Sequence, residues 1–491
     1  MSHSTRHKRR RSRSNDRFDT QMIANGVLLI LFALLAGIAS YTMYAHNILA
    51  FRHVNVIYTA VLVVVFLVCL LLTLFKKGKH LVTVLLVLFS IVVGVSLFAF
   101  KSLVDVADNI NKTASYSEIE MKVVVLANSS ISDVSELTNV QAPTSADESN
   151  INALIANIKS EKGVELTVDP VDSYQSAYEN LINGSSQAMV LNSSYSSLLE
   201  LSYNDYESNL KTIYTYKIKK AIEDTAKTTD KNVFNIYISG IDTSGAVSTV
   251  SRSDVNLILT VNMNTHKILM TTTPRDSYVR IPDGGADQYD KLTHAGIYGI
   301  ETSVKTLENL YDIPINYYAR LNFTSFVKLI NALGGVTVYN DQAFTSLYGN
   351  YNFGVGNINL TSGEEALGFV RERYSLEHGD YDRGNNQLKV IQAIVEKLTS
   401  FQSVSNYSDV ISTLQDSIQT NMPLNTMMSL VNEQLDSGKT FIFSSQEVTG
   451  TGSTGQLTSY AMPNASLYMI QLDDASVAKA SQAIKNVMEG K

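Results

Sequence analysis

The chain has 491 residues, 45% of them hydrophobic, with 39 Lys+Arg against 46 Asp+Glu and a formal net charge of −7. That length exceeds one ordinary core, so two or three folded parts are expected. A single cysteine, Cys69, excludes a disulfide-stapled scaffold, and the acidic balance argues against nucleic acid as a partner.

The hydrophobic residues crowd toward the start. A basic tail, residues 1–21 with "RHKRRRSRSNDR", precedes a region, 22–100, holding three runs free of Lys, Arg, Asp and Glu. They are "MIANGVLLILFALLAGIASYTMY" from Met22, "VIYTAVLVVVFLVCLLLTLF" from Val56 and "LVTVLLVLFSIVVGVSLFAF" from Leu81. Each has about 20 residues or more, the length that crosses the hydrocarbon layer as a helix. The first is too long for the apolar part of a cleaved signal peptide, and a second follows it closely. Basic residues in the flanking segments set the orientation. The tail and the "KKGKH" loop at 76–80 carry the charge, whereas the loop between the first two runs has only Arg52. The expectation is a multi-pass cell-membrane protein with a cytoplasmic N-terminus and an extracellular part from about residue 100 onward. Lying against a membrane span, the tail reads as a topology signal and an anionic-lipid contact rather than a nucleic-acid arm.

Splitting the charge sharpens the picture. Residues 1–100 hold 11 Lys+Arg and 2 Asp+Glu, which leaves 28 and 44 for the remainder, a net of −16. All seven arginines of that remainder, at 252, 275, 280, 320, 371, 373 and 383, fall in one window of 132 residues. A guanidinium offers a planar donor fork that suits phosphate oxygens. Its confinement to one window of an acidic region points to an anionic ligand.

After the third span, "KSLVDVADNINKTASYSEIE" reads as a polar connector. Residues 115–225 then alternate strand-like and helix-like runs: "MKVVVLA", "ESNINALIANIKSEKG", "VELTVDP", "SYQSAYENLINGSS", "AMVLNSS" and "YSSLLELS". This predicts a small parallel α/β domain of accessory or interaction type. "TYKIKKAIEDTAKTTDK" reads as a linker helix. A larger α/β domain is expected over 230–491, a central sheet flanked by helices. Its first strand, Val233–Ser239, leads to a loop with Asp242; two further strands join at "NTHK", with Arg275 and Asp276 just past the second. Helix "GIETSVKTLENLY", strand "INYYARLN", helix "FTSFVKLINALGG" and strand "VTVYN" follow, and "LTSGEEALGFVRER" opens a helix with a capping box from Ser362 to Glu365. The "VTGTGSTGQLTS" stretch near 448 reads as a flexible loop.

The segment "LGFVRERYSLEHGDYDRGNNQLKVIQAIVEKL" from Leu367 carries the strongest chemical signal. Arg371 and Arg373 share a side if the chain there is extended. Arg383 and Gln387 are i and i+4 on a helix face that continues as Val390, Ile391, Ile394 and Leu398. A phosphate-compatible head thus sits above an apolar stripe, at a helix N-terminus that itself favours anions. The plainer alternative makes the stripe core and pairs Arg383 with Asp380 or Asp382. Arg252 and Arg275, from other elements of the same domain, favour a shared anion. Asp242 and Asp254 lie beside those arginines in sequence. Either they bridge through a hard cation such as Mg²⁺ to phosphate oxygens, or they pair with Arg252 and cap turns. No His or Cys cluster suggests zinc, since His266, His294 and His378 are scattered, and "GIDTSG" is not a nucleophile elbow. Tyr278, Tyr298 and Tyr381 are candidates to line a sugar or lipid groove.

"SGIDTSG", "SRSDVNLILTVN", "TTTPRDSYV", "KLTHAGIYG", "NFTSFVKLINALGGVTV" and "RERYSLEHGDYDRGNNQ", in that order over about 232–390, resemble the LytR-CpsA-Psr family of cell-envelope proteins. The three spans and the accessory domain are similar to its capsule-type branch. The resemblance implies a phosphotransferase that moves a glycopolymer, here capsular polysaccharide, from a polyprenyl pyrophosphate lipid to peptidoglycan. The linkage is a phosphodiester to the 6-hydroxyl of N-acetylmuramic acid. It implies that Arg252, Arg275, Lys291, Arg371, Arg373, Arg383 and Gln387 hold the pyrophosphate, and that Asp242 and Asp254 hold Mg²⁺ or Mn²⁺. Arg275, Asp254 and Asp276 become the catalytic candidates, with Asp254 or Asp276 as base. Partners would be the lipid-linked glycan, peptidoglycan, the membrane and other capsule-assembly proteins. Two rival functions stay in view: a non-catalytic polyprenyl-phosphate-binding regulator of capsule assembly or transcription, and a lipid pyrophosphatase.

Overall fold

The apolar runs form helices α1 (Thr20–Ala45), α2 (Val54–Leu74) and α3 (Lys79–Ala114) in a computed structural model that describes residues 20–203, 205–222, 232–241, 247–400, 404–414 and 417–491. The basic tail therefore lies almost wholly outside the described residues. All three helices are long and apolar enough to cross a membrane. The chain divides into two compact units, before and after the Val104/Asp105 junction. In the first, Phe32, Ala39, Cys69, Leu86 and Val93 are fully buried while Ile30, Val64 and Val95 point outward. An outward face this apolar suits lipid. Asn25 is satisfied across the bundle: its Nδ2 donates to Lys79 O at 3.0 Å and its Oδ1 accepts from Thr83 Oγ1 at 2.6 Å.

The expected polar connector after residue 100 is instead the continuation of α3 to Ala114. Leu103, Val106, Ala107, Ile110 and Ala114 recur at helical spacing and are all buried. That stripe, thinly spread among polar residues, is enough to extend the helix.

In the second unit, β1 (Tyr116–Leu126), β2 (Asn139–Ala142), β3 (Thr167–Pro170), β4 (Met189–Asn192) and β5 (Leu210–Ala221) form a sheet in the order β3-β2-β4-β1-β5. Helices α4 (Thr144–Lys162), α5 (Tyr174–Ile182) and α6 (Ser196–Ser202) connect them. The sheet is mixed rather than parallel: β2 pairs parallel with β3 and β4, but β1 is antiparallel to β4 and β5. The connection from β1 to β2 contains no α-helix, and a helical crossover is the usual means of returning a strand in parallel. The expected linker helix is likewise corrected as far as Ala221, because "TYKIKKA" ends β5. Tyr214, Tyr216 and Ile218 recur every second residue and pack on the accessory core. Residues 223–231 lie outside the described set.

The larger sheet follows. Strands β6 (Val233–Ile241), β7 (Ser253–Asn262) and β8 (Lys267–Thr272) are successive and antiparallel. A hairpin, β9 (Tyr278–Ile281) with β10 (Gln288–Lys291), leads through a 3-10 stretch, Leu292–Tyr298, to α7 (Ile300–Tyr311). Next come β11 (Tyr317–Leu321), α8 (Phe323–Leu333) and two small ladders, β12 (Val336–Asn340) with β15 (Gly356–Leu360), and β13 (Phe344–Thr345) with β14 (Asn352–Phe353). Helices α9 (Gly363–Arg371), α10 (Asp380–Thr399) and α11 (Val404–Leu414) precede β16 (Ile418–Thr420), α12 (Leu424–Ser437) and β17 (Ile442–Glu447). The six-stranded order is β16-β11-β6-β7-β8-β17, with β11 parallel to β6 and β17 parallel to β8.

Period-two alternation gives this sheet two buried faces. Tyr237, Ile258 and Leu269 pack with Val304, Leu307 and Tyr311 of α7. Phe234, Leu257, Leu259 and Met270 pack with Leu388, Ile391 and Val395 of α10. The chain closes with β18 (Gly450–Thr454), β19 (Tyr468–Leu472) and α13 (Asp474–Met488). The glycine-rich stretch expected to be a loop is thus partly a strand, β18 on β19. Its glycines are there for close approach, since a Cβ on Gly450 would stand 2.2 Å from Gln471 O.

Candidate active site

Asp254 is aimed by a bulge. Ser253 pairs with Ile241 and Val255 with Gly240, so Asp254 has no partner across the ladder. Bulges redirect a side chain in this way. Gly240 makes room for it, because a Cβ there would lie 2.8 Å from Val255 Cβ. Arg275, three residues past β8, donates from Nη1 to Asp254 Oδ1 at 2.6 Å. Thr293 Oγ1 donates to the same oxygen at 3.3 Å. Burial alone would raise this carboxyl's pKa. Arg275, Arg252 and Arg383, with the Thr293 hydroxyl, outweigh that and hold it below the usual carboxylate range.

Arg252 is 4% exposed and rests on a close backbone contact. A Cβ on Gly296 would meet Ser251 O at 2.5 Å and Ser253 N at 2.7 Å. Backbone atoms cannot step aside as a side-chain tip can. Gly296→Ala is expected to cost about 1–3 kcal/mol by overpacking, read as a lower melting temperature, and to displace Arg252 and Asp254 from the site.

Two further arginines come from the end of α9. The Ser362 side chain accepts from Glu365 N to start this helix, while Glu365 reaches back to Thr361 rather than to the cap residue. The chain then turns extended at Glu372. Glu372 is buried and accepts from the N–H groups of Arg373 at 3.0 Å, Tyr374 at 2.8 Å, Ser375 at 3.0 Å and Leu347 at 2.6 Å. It fixes the turn that separates Arg371 from Arg373. The Arg371 guanidinium stacks 4.3 Å from the Phe323 ring centroid, and that of Arg373 4.5 Å from Tyr374. Arg383 and Gln387 project from the first turns of α10, and Gln387 Nε2 donates to Val370 O at 3.3 Å. Asp382 is engaged by Gln342 Nε2 and His378 N, both at 2.8 Å.

These groups surround a cavity of about 790 Å³. Arg252, Asp254, Arg275, Arg371, Arg373, Arg383 and Gln387 all line it. Its walls are Ile238, Leu259, Ala319 and Leu321 from the sheet, Phe323, Phe326 and Leu329 from α8, and Ile391, Ile394 and Leu398 from α10. Val390, expected on the same stripe, is instead fully buried in the core. A second cavity of about 320 Å³ shares Asp254, Arg275, Arg383 and Gln387 with the first, and adds Tyr381, Tyr468 and Glu447.

Other candidates fall elsewhere. Lys291 and Asp276 are not on either cavity's wall. They pair with each other at 2.5 Å, with Arg275 Nε 3.6 Å from the same Asp276 oxygen. The resemblance makes Lys291 a pyrophosphate ligand and Asp276 a catalytic candidate, but both are buried behind Arg275 and support it from there. Arg280 is a surface residue near Asp287, and Arg320 is buried, donating to Val247 O and Thr249 O. Tyr298 is largely buried beside the accessory core and Tyr278 stacks with Tyr289, which leaves Tyr381 on a cavity. Asp242 lies outside the described residues.

Three site residues were not legible in the sequence. Thr293 and Glu372 act through hydrogen bonds that only the fold creates, although an acid between two arginines in "RER" is a hint. Glu447 ends β17 opposite Thr272 of β8. Burial pushes its carboxyl up to about 7.

Among the described residues there is no group of three His, Cys, Asp or Glu that could hold a metal. Mg²⁺ commonly takes only one or two carboxylates and completes its shell with water and substrate phosphate. Asp254 suits that role: it is held ionised, Arg275 and Thr293 both engage Oδ1, and it lines both cavities.

Residues 200–476 match the model of the LytR_cpsA_psr family. The chain belongs to that family. A polyisoprenyl-teichoic acid–peptidoglycan teichoic acid transferase, TagU of Enterococcus faecalis, is 33% identical over 282 residues, covering 56% of this chain and 87% of that one. TagU of Oceanobacillus iheyensis is 35% identical over 232 residues, covering 46% and 69%. Among solved structures, TagV of B. subtilis aligns over 53% of this chain and 99% of its own at 24% identity, with a TM-score of 0.46. The Streptococcus agalactiae protein gbs0355 aligns over 53% and 89% at 26% identity, with a TM-score of 0.47. Both scores lie below 0.5, so family membership rests on the sequence matches. A model described as DNA polymerase processivity factor also matches residues 76–191, a stretch that begins with the membrane-length α3 and covers less than half of the chain.

Proposed function

We propose that this family member is an extracellular phosphotransferase that moves a glycopolymer from a polyprenyl pyrophosphate carrier to peptidoglycan through a phosphodiester. The observation that carries the reading is the gathering of Arg252, Arg275, Arg371, Arg373, Arg383 and Gln387 at one apolar cavity of about 790 Å³. Apolar walls beneath a ring of guanidinium groups favour an apolar occupant with an anionic head, such as a prenyl chain ending in pyrophosphate. The E. faecalis and O. iheyensis relatives are named for a polyisoprenyl-linked substrate and peptidoglycan. Three membrane-length helices and the accessory sheet support capsular polysaccharide as the glycan here, with the basic tail cytoplasmic.

In this reading the arginines neutralise the pyrophosphate and Gln387 orients it. The acceptor hydroxyl attacks the sugar-linked phosphorus, and polyprenyl monophosphate leaves. Positioning and charge stabilisation supply most of the rate. Asp254, with Asp242, would hold Mg²⁺ or Mn²⁺, which supplies charge neutralisation at the phosphate oxygens when bound.

The test uses the full-length protein in liposomes with lipid-linked glycan and peptidoglycan. Phosphodiester-linked glycan and stoichiometric polyprenyl monophosphate are expected, with chelator suppressing both. Phosphorylated glycan released without peptidoglycan would favour a pyrophosphatase instead. Lipid binding with no product at all would leave a regulator.

A further inference from the structure

The smaller cavity lies against the same clamp as the larger one. Asp254, Arg275, Arg383 and Gln387, with Val255 and Ile391, line both. At about 320 Å³ the smaller cavity is at the low end for ligand sites, too small for a long prenyl chain. Its own lining mixes Leu257, Val448 and Ile470 with polar groups. Tyr381 and Tyr468 stand at it with 54% and 46% exposure, and the Thr272 hydroxyl has no partner among the described residues. Exposed tyrosines beside polar groups offer a sugar a flat apolar face with hydrogen-bonding edges.

Glu447 is the carboxylate of this cavity that belongs to it alone. Its carboxylate forms no ion pair or side-chain hydrogen bond with any described residue, although His378, Arg275 and Arg383 line the same space. The Gly384 backbone on α10 leaves it room, with the carboxylate 3.8 Å from where a Cβ would stand. Asp254, by contrast, is engaged by Arg275 and Thr293. The two acids have opposite environments: one is held ionised by arginines, the other is raised toward neutral pH by burial. Such divergence separates an electrostatic role from a proton-accepting one.

Phosphoryl transfer needs the attacking and leaving oxygens roughly in line. With the prenyl phosphate leaving toward the large cavity, an in-line nucleophile needs a second approach to the same groups, and the smaller cavity offers one. We propose that the smaller cavity receives the acceptor saccharide and that Glu447 takes the proton from its attacking hydroxyl. The proposal rests on the transferase reading above. The acceptor oxygen forms a bond to the sugar-linked phosphorus as the bridging P–O bond breaks. The bond pair leaves with polyprenyl monophosphate, the acceptor proton passes to Glu447, and Glu447 then returns it to solvent.

The test compares wild type, Glu447→Gln, Glu447→Asp and Tyr468→Ala in the liposome assay, with Arg275→Ala as the reference for the clamp. For Glu447→Gln, a fall in kcat of about 10²–10⁴-fold is expected, with unchanged affinity for the lipid-linked donor. Wild-type kcat should rise with pH through about 7, where Glu447 ionises, and level off above. The titratable groups that line the same cavity are Asp254, Arg275, His378, Tyr381, Arg383 and Tyr468, and burial alone accounts for the raised Glu447 carboxyl. Glu447→Gln should abolish this limb, and Glu447→Asp should restore part of the rate and retain the limb. Tyr468→Ala should raise KM for a soluble peptidoglycan oligomer and leave donor binding unaltered. Wild-type kcat in Glu447→Gln alongside an inactive Arg275→Ala overturns the role of Glu447 and leaves the transferase reading intact. Weakened donor binding in Tyr468→Ala, with acceptor KM unchanged, overturns the acceptor assignment. If wild type itself transfers nothing, the underlying function fails instead.

Discussion

Replacing Arg275 by Ala is expected to lower transfer by about 10²–10³-fold, the usual loss when one positioned donor to developing charge is removed. Arg275 is chosen because it lines both cavities and donates to Asp254 at 2.6 Å. Its loss acts twice. The pyrophosphate loses a forked donor, and Asp254 loses the first of the arginines that hold it ionised. With that support gone, the Asp254 pKa should climb, and any divalent cation should bind more weakly. Arg275→Lys keeps the charge but not the fork, so an intermediate rate is expected. The measurement is kcat/KM in the liposome assay, together with the metal concentration for half-maximal rate. Wild-type rates for Arg275→Ala in a folded protein would remove the clamp from the mechanism.

Glu372→Ala should be nearly as damaging although Glu372 is itself no ligand. Placed between Arg371 and Arg373, its carboxylate accepts from the backbone N–H groups of Leu347, Arg373, Tyr374 and Ser375. Orphaning them would cost on the order of 2–4 kcal/mol, given ~1–3 kcal/mol for one unsatisfied buried group and partial rehydration of the rest. The turn then no longer sets the two arginines. Burial raises the Glu372 pKa, and the N–H groups of Leu347, Ser375 and Tyr374 with the Ser375 hydroxyl lower it more, so its folded value lies below the ordinary 4.5. A depressed carboxyl contributes stability that is complete above the unfolded value and is lost as pH falls through the folded one. Below about pH 4.5 the wild type should therefore lose part of its advantage over Glu372→Ala in chemical denaturation. A pH-independent difference between the two would refute this account.

Much of the fold was written along the chain. Charge-free runs dictate α1, α2 and α3 because length and apolarity alone suffice for a membrane helix. Short apolar runs mark β6, β7, β8 and β11, because a strand buried on both faces tolerates few polar residues. The stripe of α10 was read through Ile391, Ile394 and Leu398, which do line the cavity. The differences have a common cause. Taken alone, "TYKIKKA" has the pattern of a helix, "VTGTGSTGQLTS" that of a loop and "KSLVDVADNINKTASYSEIE" that of a connector. Each acquires its conformation from a partner distant in sequence: β1 for β5, β19 for β18, and packing of the buried stripe for α3.

The sequence by itself determined which residue types this protein commits to its task. It confined seven arginines to one window of an acidic region and set Arg383 and Gln387 one helical turn apart. Only the tertiary structure decided which of them meet. It kept Arg252, Arg275, Arg371, Arg373 and Arg383 together, sent Arg280 to the surface and buried Arg320. It withdrew Lys291 and Asp276 into a buried pair and brought Glu447 to the site. The physical reason is that composition and periodicity are local, whereas a bulge at Asp254 and the pairing of β17 with β8 depend on strands far apart in the chain.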